Sequence, residues 1–146
     1  TMEEKIACLV SCGSSKRNGR EVSFGMYDSV LFEKSWAAAS LVGHPFVISA
    51  KHHLLTVDNR IDEYNKTLKN FNKEEKEVWA ETVNNELPEK YTTVVIFGGQ
   101  DYVQPLKQVM KNRKIVTPYE STSGNGQQMS VAGDIIEAEI FGEGYL

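Results

Sequence analysis

Only two cysteines, Cys8 and Cys12, occur in the 146 residues. Two such thiols make neither a disulfide framework nor a zinc site, so the reducing cytosol is the expected compartment. No apolar run approaches the roughly 20 residues of a membrane span. Residues 1–5 have neither the basic nor the apolar region of a signal peptide, and Thr1 ahead of Met2 looks like an expression remnant. An excess of positive charge is also missing: 16 Lys and Arg stand against 20 Asp and Glu, for a net charge of −4. That excludes a histone-like basic coat. Any nucleic-acid contact needs a local basic patch inside an acidic whole. There is no repeat, low-complexity stretch or long Gly/Pro/Ser linker. What remains, 40% hydrophobic and 25% charged, is an ordinary globular composition, and residues 1–146 are expected to form a single α/β domain.

Strand and helix signals alternate along the chain. Residues 5–11 form a short apolar run ended by Gly13 and read as the first strand. Ser29 can cap a helix through Phe32, Trp36 and Ala39 to about Val42, with Gly43 as its stop. Residues 45–49 read as the second strand. Asn72 and Glu75 form a capping-box pattern before a helix through Val78, Trp79 and Val83 that ends at Pro88. Residues 91–97 give the strongest strand signal, apolar without alternation, as expected of a strand covered on both faces. A helix from about Tyr102 to Lys111 and a fourth strand over 114–117 follow. Residues 126–141 suggest a last helix that Gly133 weakens. The aromatic side chains of Phe32, Trp36 and Trp79 are assigned to packing, and the acidic run over 72–81 to a solvated helix face.

Such a series implies a three-layer domain with a mostly parallel, four-stranded sheet. Sheets of this kind bind ligands beyond the carboxyl ends of their strands. The segments just past the strands are 11–16, 49–53, 98–102 and 118–121, all polar, small or aromatic. They are expected to converge on one rim.

In the first segment, small residues let backbone N–H groups approach an anion and Lys16 supplies charge, although the spacing is not that of a Walker loop. Lys16, Arg17 and Arg20 make a basic patch or a solvated loop. Lys16 is also a candidate nucleophile if desolvation lowers its pKa. Cys12 is either a thiolate with His52 or His53 as base, or a small packed residue. The pair His52 and His53 has no third ligand at useful spacing, so no metal is expected. Gly98 and Gly99 permit positive φ and close ligand approach, or form a plain turn. Asp101 can cap the next helix. Tyr27, Tyr64, Tyr102 and Tyr119 lie in or beside loops, where a flat base can stack on the ring or the ring can be a core edge with a wet hydroxyl.

Taken in order, these clusters resemble a small family of prokaryotic and phage domains, similar to the YaaA peroxide-stress proteins and to the catalytic domain of archaeosine synthase. The resemblance rests on Ser11-Cys12 with Lys16, on the segment 27–32 with its Tyr27 and Ser29, and on the segments 47–55 and 61–68, the latter holding Tyr64. Phe97 to Tyr102 and Gly124 to Gln128 complete the pattern. It covers nearly the whole chain. One departure is His53, which stands where the family usually has glycine. Either a backbone conformation reserved for glycine is absent here, or histidine adopts it at a cost.

The resemblance implies a uracil-DNA-glycosylase-like α/β fold and an association with modified nucleobases, in nucleic acid or as free nucleotides. It carries over Lys16, Tyr27 and Ser29, because archaeosine synthase uses a lysine that attacks a nitrile on a deazaguanine base. The expected function is a nucleobase-directed enzyme acting on a modified base or its N-glycosidic bond. Lys16, Lys51 and His52 are the candidate catalytic residues. Ser11, Cys12, Gly13, Ser15, Tyr27, Ser29, Ser49, Tyr64, Gly98, Gly99, Tyr102 and Gln127 are the candidate substrate-binding residues. Asp62, Glu63, Asp101 and Glu120 are each candidates to activate water. No cofactor and no membrane contact are expected. The acidic net charge favours a short, single-stranded or free-nucleotide substrate over an extended duplex, and a duplex base would first have to be flipped out. The alternatives are a non-catalytic nucleic-acid or nucleotide-binding module in stress response or phage defence, and a protein-interaction domain using the helix over 72–86.

Overall fold

A computed structural model describes residues 5–11, 21–22, 30–56, 60–61 and 68–146. Strands β1 (Ile6–Ser11), β3 (His44–Ser49), β4 (His53–Leu55), β6 (Thr93–Phe97) and β7 (Lys114–Val116) form one sheet in the order β4-β3-β1-β6-β7. Strands β3, β1, β6 and β7 pair in parallel, whereas β4 pairs antiparallel with β3 at the edge. The sheet is therefore five-stranded and mixed, a correction to the expected four strands. The extra strand is a hairpin return of only three residues, too short to show a periodic pattern. Two further short strands, β2 (Glu21–Val22) and β5 (Arg60–Ile61), pair antiparallel and tie the segment after β1 to the segment after β4.

Helix α1 (Val30–Val42) follows β2, and α2 (Lys73–Glu86) follows a single 3-10 turn at Leu68–Asn70. Helix α3 (Gln100–Val109) links β6 to β7, and α4 (Asn125–Ile140) closes the described chain. Residues of β1 alternate between the two faces of the sheet. Cys8 and Val10 join Phe32, Ala39, Ala132 and Ile135 from α1 and α4 on one face. Leu9 joins Ile48, Trp79, Val83, Ile96, Val103 and Leu106 on the other, under α2 and α3. Leu9, Ile48 and Ile96 are fully buried, and each such side chain contributes roughly 1.5–3 kcal/mol of transfer free energy. The layers are thus helix, sheet, helix.

Local chemistry explains the element ends. Asn72 Oδ1 accepts from the Glu75 N–H at 2.8 Å, and Glu75 Oε1 accepts from the Asn72 N–H at 3.0 Å, the reciprocal capping box that starts α2. Gly43 ends α1 beside β1, where a Cβ would meet the Ile6 carbonyl at 2.6 Å, so no side chain fits. Gly133 does not break α4, because Ala132 and Ile135 on either side of it pack into the core. The α2 carboxyl end is closed by a residue from far along the chain. Arg113 donates to the carbonyls of Asn84 (3.2 Å), Leu87 (2.9 Å), Pro88 (2.9 Å) and Tyr91 (2.8 Å), and to Asn84 Oδ1 (3.0 Å). All five N–H donors of the guanidinium are used, and they satisfy carbonyls that the end of a helix leaves open.

Candidate functional site

The order in which strands are added to the sheet reverses between β1 and β6. The β1–α1–β3 connection leaves to one side over one face, and β3–α2–β6 returns over the other. Open α/β sheets bind their ligands at such a point, outside the carboxyl ends of the two diverging strands. Gly98, just past β6, lies against Ser11, the last residue of β1. A Cβ on Gly98 would sit 3.2 Å from both Cβ and Oγ of Ser11 and 3.5 Å from Cβ of Tyr102. Close approach, and not backbone angle, calls for glycine here. Among the described residues the glycines in the left-handed region are Gly142 and Gly144, so Gly98 and Gly99 do not use the positive φ that glycine permits.

Gly99 caps α3 with an extended backbone (φ −79°, ψ 179°) and no side-chain bond. Asp101 therefore does not cap the helix as expected. It lies in the first turn, 3.3 Å from Lys76 Nζ. A Cβ on Gly99 would meet nothing within 4 Å. Open space thus faces the amino end of α3, where peptide N–H groups lack helical partners and the helix dipole is positive.

Tyr102 is half-buried on this first turn, its ring edge-on to Trp79 at 5.7 Å between centroids. The Trp79 indole in turn donates to the Ser49 carbonyl at 2.9 Å. Ser49 is fully buried. Its Oγ accepts from the backbone N–H groups of Lys51 (3.2 Å) and His52 (3.1 Å) and so holds the turn between β3 and β4. Lys51 is exposed on that turn, and His52 is half-buried with Nε2 shielded from solvent. His53 follows with φ 64°, the one non-glycine residue in the left-handed region among those described. Of the two alternatives at this position, histidine has taken the glycine conformation, which costs about 1–2 kcal/mol.

Ser11, Ser49, Lys51, His52, Gly98, Gly99 and Tyr102 are thus brought to one rim. Gln127 is exposed in the first turn of α4, where its Oε1 accepts from the Ser123 N–H at 2.8 Å. Cys12, Gly13, Ser15, Lys16, Tyr27, Ser29 and Tyr64 lie outside the described residues, as do Arg17, Arg20, Asp62 and Glu63.

Other candidates are otherwise engaged. Tyr119 is buried, with its hydroxyl 2.6 Å from Ser35 Oγ and its ring edge-on to Phe97. Burial pushes its pKa up to about 12, and no face is open for a base. Glu120 is paired with Lys107 at 2.9 Å and accepts from Thr117 Oγ1 at 3.0 Å, and these bonds hold its carboxyl below the usual range. Burial, with Glu139 nearby, pushes the Cys8 thiol up to about 12, which leaves it inert. Trp79 has a second role that packing alone does not state. A buried indole N–H needs an acceptor, and the fold supplies it at the end of β3.

The profile of a family of unknown function, DUF6884, matches residues 7–133. The chain belongs to the DUF6884 family. The match runs from β1 into α4 and so includes every segment of the rim. No curated protein matches the chain. Among the described residues of this DUF6884 domain, no helix is long and apolar enough to cross a membrane.

Proposed function

We propose that the rim is the substrate site of a nucleobase-directed enzyme, acting on a modified base or its N-glycosidic bond in nucleic acid or a nucleotide. One observation carries this reading: Ser11, Gly98, Tyr102, Trp79 and Ser49 form one contiguous set of contacts at the diverging strand ends. A flat base stacks on the Tyr102 ring, whose orientation Trp79 sets. The open amino end of α3 takes a phosphate or another anionic group through peptide N–H donors. Lys51 adds charge from the exposed turn, and His52 beside it exchanges a proton. By the resemblance to archaeosine synthase, Lys16 is the attacking amine, with Tyr27 and Ser29 around the base. Addition requires the neutral amine, so a desolvated setting is part of the proposal. The helix, sheet, helix layering is compatible with a uracil-DNA-glycosylase-like fold.

The test is incubation with a panel of modified nucleosides, nucleotides and DNAs, read by mass spectrometry for released base or altered mass. Turnover of at least one member, abolished by Lys16→Ala in a folded protein, supports the proposal. Full activity of Lys16→Ala overturns the role of the lysine. A silent panel, together with tight and strongly salt-dependent nucleic-acid binding, favours a non-catalytic binder.

A further inference from the structure

Away from the rim, a second feature runs along the outer seam of α2 and α3. Three hollows of about 340, 440 and 430 Å³ follow one another there. The first and second share Glu77 and Gln108, and the second and third share Asn84, Asn85 and Val109. They therefore make one continuous groove from the start of α3 to the Arg113 clamp.

Two rows of side chains line it. Gln100, Gln104 and Gln108 recur every fourth residue along α3, all exposed. On α2, Glu77, Glu81 and the pair Asn84 and Asn85 face the same groove. A side-chain amide offers one acceptor and two donors, the complement of a peptide group. Four helical residues rise about 6 Å, and two residues of an extended chain advance about 6.6 Å. The glutamine row thus keeps step with alternate peptide groups of an extended strand. Gln104 already donates to Gln100 Oε1 at 2.7 Å, and Gln100 donates to the Glu120 carbonyl at 3.4 Å. Gln104 Oε1 and the Gln108 amide remain available to a ligand. Asn84 Oδ1 accepts from the Arg113 Nε–H, which leaves the Asn84 NH2 for a ligand.

Charge decides which strand fits. Asp101 is paired with Lys76, and the Arg113 guanidinium is spent on carbonyls. Among the described residues, Glu77 and Glu81 in the middle of the groove have no ion-pair partner. Lys73 lines the first hollow, Lys111 lines the second beside the two carboxylates, and Glu89 adds a third carboxylate in the last. The two carboxylates are one turn apart, so they match cations on alternate residues of an extended peptide, and they repel a phosphate backbone. We infer that the α2–α3 groove docks an extended peptide segment of a partner protein with lysine or arginine at alternate central positions. This inference is independent of the chemistry at the rim.

The probe is the heptapeptide Ser-Lys-Ser-Lys-Ser-Lys-Ser, titrated into the isotope-labelled protein and followed by backbone amide shifts. Shifts are expected along residues 77–85 and 104–113. The combined Glu77→Lys and Glu81→Lys variant, altered only at exposed positions, is expected to bind roughly tenfold more weakly. Gln108→Ala is expected to weaken binding without changing its salt dependence. The absence of shifts, shifts at the rim instead, equal binding of the matching serine–glutamate peptide, or unchanged binding by the charge-reversed variant would each overturn the inference. Seam shifts caused by a short oligothymidylate would overturn the peptide class.

Discussion

The indole N–H of Trp79 reaches the main-chain carbonyl of Ser49 at 2.9 Å, joining the middle of α2 to the last residue of β3. Both residues are buried. The bond ties the rim turn to the face of the helix that supports Tyr102. Trp79→Phe keeps an aromatic ring but leaves the Ser49 carbonyl without its indole donor. Loss of that bond and of ring volume is expected to cost about 1–3 kcal/mol. Urea denaturation measures it, and a change below a few tenths of a kcal/mol would remove Trp79 as the pin of the rim.

Gly98 and Ser11 are coupled by contact. Gly98→Ala places a methyl 3.2 Å from the Ser11 side chain, and overpacking of this kind costs about 1–3 kcal/mol. Ser11→Gly removes the obstructing atoms. The double variant is therefore expected to recover part of the loss, with a coupling of about 0.5 kcal/mol or more in a double-mutant cycle. Strict additivity would show that the two strand ends do not touch as described.

His53 has φ 64°. His53→Gly removes the left-handed penalty and adds unfolded-state freedom, with an expected net gain of about 0.5–1 kcal/mol. The melting temperature of the variant checks this. A fall would mean that the imidazole makes contacts worth more than the strain.

Tyr119 and Cys8 both have pKa values pushed up to about 12 by burial. Each folded value lies above its ordinary one of 10.0 or 9.0, so the folded state holds these protons more tightly. The stability they contribute is complete below pH about 9 and is lost as pH rises from there toward 12. Unfolding free energy measured from pH 8 to 12 is expected to fall, with a shallower slope in Tyr119→Phe. A flat wild-type profile would show that neither group is sheltered.

The legible parts of the fold were those with local causes. The capping box at Asn72 and Glu75 begins α2 as the sequence suggests, and the unbroken apolar run of β6 is covered on both faces. Strand β4 was not legible, because His53 spends a left-handed conformation inside a three-residue strand whose register is set by β3. The start of α3 at Gln100, two residues earlier than Tyr102, was hidden because its cap is the extended backbone of Gly99 and not a side chain. Tyr119 reads like a loop ring until Ser35, 84 positions away, claims its hydroxyl. Arg113 is the same case on a larger scale, since its acceptors exist only once α2 ends beside it. At the rim, the adjacency of the strand ends followed from the α/β rule, whereas the Trp79 link between them is a tertiary contact with no pattern of its own.

The proposed function requires that a nucleobase bind at the diverging ends of β1 and β6. A backbone amide titration with a nucleoside monophosphate tests this. Shifts are expected at Ser11, at 49–53 and at 98–102, diminished by Tyr102→Ala. Shifts that bypass these residues, or none at saturating nucleotide, would contradict it.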